Sequence, residues 1–446
     1  SEGAVLMPSY IIRSMRKMFS HCLKLSYKDT AQQNSYVTIP RAANSFDNTE
    51  IAANIDEDII DSLTGGRLVG SVTSFENFAE CPLRYYLRYG VDLKEREEFT
   101  FSPVNFGVVL HAVIREVCDE IKKNGESYYL ISEEKRREMV KRSVAAITDI
   151  YQNSILKDSS RNSFMIKRME DLADRTIWAM GEQLKCGDFV PFVFEHKFNM
   201  EVGDGDRKQL MSGTIDRVDI CENGTDVYVR IIDYKTGKKD FNIVKTYYGI
   251  DIQLMVYMEA AMKLVAKMRP GKNVIPAGVF YYNISDPIVS ATTESAEEIE
   301  DKIKGELRLK GMVNSDKDIA EKMDNTEGTS LNIPVSRKAD GGFDSRRSKV
   351  MNTEQFNILG RFVDVRAIDT ADRIVGGDIR RSPYKDGQFS SCDRCPYGAV
   401  CGFSVDLPGC NYRKLKKFDD EVLWNNIKEG VDENGKKMDT GAEERD

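Results

Sequence analysis

The chain has 446 residues, 41% of them apolar and 30% charged, with a net charge of −8. That length suffices for two or three domains, any of which can bury a core. The acidic balance argues against a protein that coats nucleic acid by bulk electrostatics, and no run of about 18 uncharged apolar residues offers a membrane span.

The first stretch, SEGAVLMPSYIIRSMRKMF, has no initiator Met, and charges break its short apolar runs. It reads as part of a chain cut from something longer rather than as a signal peptide. A polar connector follows, TAQQNSYVTIPRAANSFDNTEIAANIDED. SVTSFENFAECPLRYYLRYGVDL opens a new unit, with Thr73 and Glu76 spaced as a capping box at a helix start. FGVVLHAVIREVCDEIKK is an amphipathic helix with Phe106, Leu110, Val113, Val117 and Ile121 on its apolar stripe. His111 lies roughly 100° off the centre of that stripe, so it flanks the core rather than filling it. Residues 131–185 read as charged helix and FVPFVFEHKFNMEV as a strand. After an acid-bearing hairpin comes the helix DIQLMVYMEAAMKLVAKM, on which Gln253 and Tyr257 are i, i+4 neighbours. IPAGVFYYNI is a buried strand, and the Gly-, Ser- and charge-rich segment 313–350 is expected to be partly disordered. A helix near 352–373 leads to CDRCPYGAVCGF and a polar tail, DENGKKMDTGAEERD. Helices before, between and after strands predict a mixed α/β domain.

The hairpin, GTIDRVDICENGTDVYVRIIDYKTG, carries the chemistry. Asn223-Gly224 between two alternating runs signals a tight turn. With those two residues as the loop, Asp216 falls opposite Ile231, Asp233 is its diagonal neighbour, and Lys235 continues the same face. Charges on such a face must be paired, metal-bound or exposed, because burying one bare costs several kcal/mol. Oxygen ligands suit Mg²⁺ or Mn²⁺, which polarises a phosphoryl oxygen and acidifies a bound water while an ammonium orients it. The same spacing also suits a salt-bridged, solvated strand face.

Nine cysteines, an odd number on a chain without a secretory signal, argue against a disulfide framework and for a reducing, cytosolic compartment. Cys392, Cys395 and Cys401 stand as C-x-x-C-x-x-x-x-x-C, three thiolates of a set that needs a fourth. Cys22, Cys118, Cys186 and Cys221 read as ordinary buried thiols, and Cys410 is a neighbour easily mistaken for a ligand. In LRYYLRYG, Arg84 and Arg88 alternate with Tyr85, Tyr86 and Tyr89. That mixture suits phosphate contact and base stacking, although the simpler reading packs the tyrosines inward.

In chain order, Gly107 and His111 in G-x-x-x-H, Gly213 and Asp216 in G-x-I-D, Asp233 and Lys235 in D-Y-K, and Gln253 and Tyr257 in Q-x-x-x-Y resemble the RecB-type branch of the PD-(D/E)xK nucleases. The resemblance covers about residues 70–415 and implies a central mixed β-sheet flanked by helices. It implies His111, Asp216, Asp233 and the backbone carbonyl of Tyr234 as Mg²⁺ ligands. Lys235 would position the attacking water, and Gln253 and Tyr257 would support the site or touch the DNA backbone. Cys81, in ENFAECPLRYYLRYG, supplies the fourth thiolate by resemblance to the split iron–sulfur staple of AddB-type subunits of bacterial AddAB helicase–nucleases. Spacing alone does not separate a [4Fe–4S] cluster from zinc; the resemblance favours iron–sulfur. VLMPSYIIRSMRKMF and YVTIPRAA are similar to the end of the helicase-like part of such subunits.

The expected organisation is 1–66 as helicase-like remnant and connector, 67–415 as nuclease domain, and 416–446 as helix and tail. The implied function is a cytoplasmic, bacterial, Mg²⁺-dependent DNA exonuclease, paired with an AddA-type motor subunit, that degrades the 5′-ended strand in double-strand break repair. No G-x-x-x-x-G-K-[ST] is present in this sequence, so unwinding would come from the partner. A catalytically silent docking module and a free-standing RecB-type iron–sulfur nuclease are the alternatives.

Overall fold

A computed structural model describes residues 54–56, 59–60, 69–94, 103–150, 160–202, 209–290, 295–407 and 410–443, all within the compact unit Ala52–Asp446. Almost all of the expected 1–66 region lies outside them.

The scaffold is a seven-stranded mixed sheet. β3 (Gln209–Asn223) pairs antiparallel with β2 (Val190–Val202) on one edge. Its other edge takes β1 (Val69–Ser71), in parallel, and then β4 (Asp226–Lys235), antiparallel. The order continues through β5 (Asn273–Asn283), parallel to β4, then β6 (Lys310–Asn314) and β7 (Val350–Met351). β4 is buried along its whole interior, which is why DVYVRIID reads as a near-continuous run of β-branched and aromatic residues.

Helices cover both faces. On one face lie α1 (Val72–Glu80), followed after Cys81 by the short α2 (Pro82–Tyr85), and three later helices. On the other face lie α3 (Pro103–Lys123), α4 (Glu133–Ile150) and α5 (Ser160–Lys185). After β4 come α6 (Ile243–Tyr247) and α7 (Gln253–Met268), the latter packed against β3, β4 and β5. α8 (Ala296–Glu306) and α9 (Lys317–Met323) flank β6. α10 (Thr353–Val375) lies on the α7 side. A small sheet of β8 (Tyr384–Asp386), β9 (Phe389–Ser390) and β10 (Arg413–Lys414), with α11 (Gly398–Cys401) between the last two, carries the Cys-rich segment. α12 (Asp420–Glu443) packs on α10.

On α3 the stripe predicted from spacing is the buried one: Val109, Leu110, Val113, Ile114, Val117 and Ile121 are fully enclosed. Each such side chain contributes about 1.5–3 kcal/mol of transfer free energy.

Four expectations are corrected. The hairpin turn is Gly224-Thr225, with Asn223 paired to Asp226 and Arg217 to Ile232. Gly224 takes φ +61°, the conformation a two-residue turn demands of its leading glycine. The ladder is therefore shifted by two residues and sets Asp216 opposite Asp233 rather than Ile231. Parity is preserved, so the face is unchanged. Thr73 and Glu76 form no capping box: α1 begins earlier, with Ser71 as its N-cap, and Glu76 is spent elsewhere. The 313–350 segment is ordered, because its polar residues satisfy one another. Ser330 Oγ and Asn332 Nδ2 donate to the buried Asp324 carboxylate, between the enclosed Ile333 and Val335. α12 runs through most of the stretch expected as a polar tail.

Candidate active site

Three adjacent strands each bring one acid to the same row of the sheet. The register that sets Phe194 opposite Arg217 and His196 opposite Ile215 puts Glu195 opposite Asp216. On the other side Asp216 faces Asp233 one step beyond the Arg217–Ile232 pair. Both strands depart from regularity here. Glu195 has φ +47°, a left-handed conformation that costs a non-glycine residue about 1 kcal/mol or more. Ile215 and Val218 pack into the same core layer despite their odd separation, so β3 kinks around Asp216. The kink lets Asp216 Oδ2 accept the Tyr234 backbone N–H at 2.6 Å.

α3 lays His111 against this row. Its Nδ1 stands 3.4 Å from Asp216 Oδ1 and 3.6 Å from Glu195 Oε1. His111, Glu195 and Asp216 each offer a ligand atom, all within 4.8 Å of one another. Asp233 is outside that cluster. Its carboxylate lies 2.5 Å from Lys235 Nζ, off the hydrogen-bond direction, so Asp233 Oδ2 is buried with no directed hydrogen bond. Burial, then repulsion from Asp216, pushes the Asp233 carboxyl up to about 7, against the pull of Lys235. Burial alone would lower the His111 pKa, but the Asp216 and Glu195 carboxylates outweigh it and hold the imidazolium up to about 10. Three carboxylates thus converge on one imidazolium and one ammonium. That excess of negative charge, with an unbonded buried oxygen, is the donor chemistry a hard divalent cation fits.

Lys235 is held from the α7 side. Its Nζ donates to Gln253 Oε1 at 3.0 Å, and Gln253 Nε2 donates to Tyr257 OH at 2.9 Å. Gly213 makes room for this: a Cβ there would stand 2.7 Å from the Phe198 ring and 3.0 Å from the Tyr257 ring. Gly107 is under no such constraint, since a Cβ would meet Thr236 only at 3.6 Å. Tyr234 turns its side chain to the opposite face, edge-on to His111 and Tyr282, so only its backbone faces the acids. Two acids escaped sequence reasoning. Glu195 had no signal beyond an acid inside a strand, and Glu76 looked like a local cap.

The four expected cysteines come together. Cys81, Cys392, Cys395 and Cys401 line one small pocket with Leu83 and Phe403, although Cys81 is more than three hundred positions from the rest. Burial raises the Cys392 thiol to about 11, with Cys81, Cys395 and Cys401 close enough to add to the shift. Cys410 is buried and does not line the pocket. Arg84 forms an ion pair with Glu80, and Arg88 stacks 5.3 Å from the Tyr89 ring centre. Tyr85 packs inward on Phe78, while Tyr89 keeps 38% exposure.

Comparison with known proteins agrees with this geometry. The family model described as the PD-(D/E)XK nuclease superfamily matches residues 70–402. The chain is 34% identical over 401 residues, 87% of its length, to the B-type subunit of the ATP-dependent helicase/deoxyribonuclease of Lachnoclostridium phytofermentans, covering 34% of that protein. It is 33% identical over 380 residues to the same protein from Thermoanaerobacter pseudethanolicus, covering 83% of this chain and 33% of that one. For Clostridium acetobutylicum the identity is 34% over 391 residues, 85% of this chain and 34% of the relative. The chain therefore spans about a third of the length of these relatives. A mixed sheet flanked by helices, with the family match over most of its length, shows that the chain belongs to the PD-(D/E)XK nuclease superfamily.

Proposed function

We propose that this chain is the nuclease part of a helicase–deoxyribonuclease subunit of the AddB type and hydrolyses DNA phosphodiesters with a divalent cation. The observation that carries this reading is the Glu195–Asp216–Asp233 row closed by His111 and Lys235. His111, Asp216 and Glu195 would hold Mg²⁺ or Mn²⁺, with Asp233 and the Tyr234 carbonyl completing the site. Such an ion, when bound, polarises a phosphoryl oxygen and lowers the pKa of a water. Lys235, anchored by Gln253, presents its ammonium beside Asp233 and would orient the attacking oxygen. Tyr257 holds Gln253 and would line the path of the DNA backbone. Arg84 and Arg88 are the proposed contacts for a single strand.

The cysteine pocket supports a [4Fe–4S] cluster on Cys81, Cys392, Cys395 and Cys401, with zinc as the competing occupant. Bridging Cys81 to the distant segment closes a loop of about 310 residues, a closure entropy of roughly 5 kcal/mol, so the pocket would staple the two ends of a nuclease domain spanning 67–415. The names of the relatives support an AddA-type motor as partner, a role in double-strand break repair and a cytoplasmic setting. Degradation of the 5′-ended strand is proposed on the family resemblance. No helix among the described residues is long and apolar enough to cross a membrane.

The test is cleavage of single-stranded DNA with Mg²⁺ and without ATP by the chain and by Asp216→Ala and Lys235→Ala. Both substitutions abolish cleavage and leave DNA binding intact. Cleavage that survives both sinks the assignment.

A further inference from the structure

Glu76 lies on α1, buried beneath the start of α7, and does not serve its own helix. Its Oε1 accepts the backbone N–H of Ile252 at 2.9 Å and of Gln253 at 3.0 Å. The N-cap position of α7 is Ile252, which has no side-chain oxygen to offer those amides. An acid 176 positions upstream therefore does the work of a local cap. The residue whose amide it fixes is also the one whose side chain is committed at both ends. Gln253 Oε1 accepts from Lys235 Nζ, and Gln253 Nε2 donates to Tyr257 OH. None of the hydrogen bonds of Glu76 among the described residues reaches His111, Glu195, Asp216 or Asp233.

We infer that Glu76 is a positioning residue of the nuclease site: by gripping the amides of Ile252 and Gln253 it places the Gln253 side chain, and through it the Lys235 ammonium. This rests on the nuclease reading above. The chemistry is ordinary. A carboxylate at a helix N-terminus satisfies otherwise orphaned donors and favours the helix dipole. Here that interaction also fixes where a catalytic cation points. The neighbourhood is rigid on the other side too. The side chain of Asn283 clamps the backbone of Lys239, donating to its carbonyl at 3.0 Å and accepting its N–H at 2.9 Å, so the loop after Lys235 has little freedom. Lys239 in turn pairs with Asp251 at 3.0 Å, and the Tyr281 hydroxyl donates to the same carboxylate oxygen at 2.6 Å.

A plain helix cap and a positioning residue differ in what they move. The experiment measures single-turnover cleavage by the full chain, with thermal unfolding and Mg²⁺ titration alongside, for Glu76→Ala, Glu76→Gln, Gln253→Leu and the Glu76→Ala/Gln253→Leu double variant. Misplacing a catalytic group by about 1 Å can cost 10²-fold, so Glu76→Ala and Gln253→Leu should each slow cleavage at least about tenfold. The Mg²⁺ concentration giving half-maximal rate should stay within about twofold of wild type, since neither residue would be a ligand. The double variant should be no slower than the worse single one, because both act through one contact. Glu76→Gln, which keeps an oxygen for the amides, should recover most of the rate. Additive losses, or wild-type cleavage by folded Glu76→Ala, overturn the inference. If Glu76→Ala does not fold, wild-type cleavage by Gln253→Leu overturns it equally. Lys235→Ala separates the two levels: if it is inactive while Gln253→Leu is fully active, only the positioning role falls. If Lys235→Ala itself cleaves normally, the nuclease site reading falls first.

Discussion

Behind the acid row, on the opposite face of β3 and β4, two arginines share one acid in a closed core. Asp219 accepts from Arg217 Nε at 2.7 Å, from Arg217 Nη2 at 2.6 Å and from Arg230 Nε at 2.9 Å. All three side chains are at most 1% exposed. Burial would raise the Asp219 carboxyl, but the two guanidiniums outweigh it and hold it below the usual range. Removing one partner of a buried pair costs about 3–5 kcal/mol, and Asp219→Ala strands two cations at once, so a loss at or above that range is expected. Against a total stability of about 5–15 kcal/mol, the variant should be barely folded at room temperature. Arg230→Met is the informative contrast. The terminal nitrogens of Arg230 make no hydrogen bond, and its head group sits 4.9 Å over the Phe189 ring, so an apolar side chain of similar length should cost no more than about 1 kcal/mol. Urea unfolding at pH 7 measures both. The sign with pH follows from the depressed pKa: the Asp219 contribution is present above its unfolded pKa and is lost as pH falls through the folded one. The gap between wild type and Asp219→Ala should therefore close below about pH 4. An Asp219→Ala midpoint within about 1 kcal/mol of wild type would refute the reasoning.

Glu195→Gln should raise the Mg²⁺ requirement for cleavage by at least about tenfold while leaving the unfolding midpoint in EDTA unchanged or higher, measured by metal titration and calorimetry. Gly213→Ala drives a methyl group into the Phe198 and Tyr257 rings. Single-turnover cleavage should fall by about tenfold or more, with DNA affinity retained in a filter-binding assay. Cys395→Ser should abolish the visible iron–sulfur absorbance and lower the thermal midpoint; a colourless wild type carrying stoichiometric zinc contradicts the cluster assignment. Burial and the Glu259 carboxyl raise Asp364 from 3.8 to about 8. The folded state thus keeps a proton that the unfolded state releases, and stability drains away as pH rises from about 4 to about 8. Asp364→Asn should raise the melting temperature at pH 8.5 and leave it unchanged near pH 4.

The helices and strands were legible because their apolar periods are strong: the α3 stripe and the unbroken apolar run of β4 are both read directly from side-chain spacing. The faces of Asp216, Asp233 and Lys235 were legible too, since period two survives an even shift of register. The register itself was not. Asn-Gly marks the hairpin, but the turn closes one residue later because Gly224 takes the leading place, and only the ladder distinguishes these. The segment 313–350 misled through composition alone, because its buried polar residues bond to one another instead of to water. Glu195 enters through a bulged strand and a left-handed backbone, and Glu76 through a contact across 176 positions. Neither leaves a local pattern.

A manganese soak with anomalous diffraction tests the central claim most directly. The account predicts one strong peak about 2.1 Å from the His111 imidazole and from oxygens of Asp216 and Glu195, within reach of Asp233, and its loss in Asp216→Ala. A protein that cleaves DNA with that position empty, or with its manganese bound elsewhere, would contradict it.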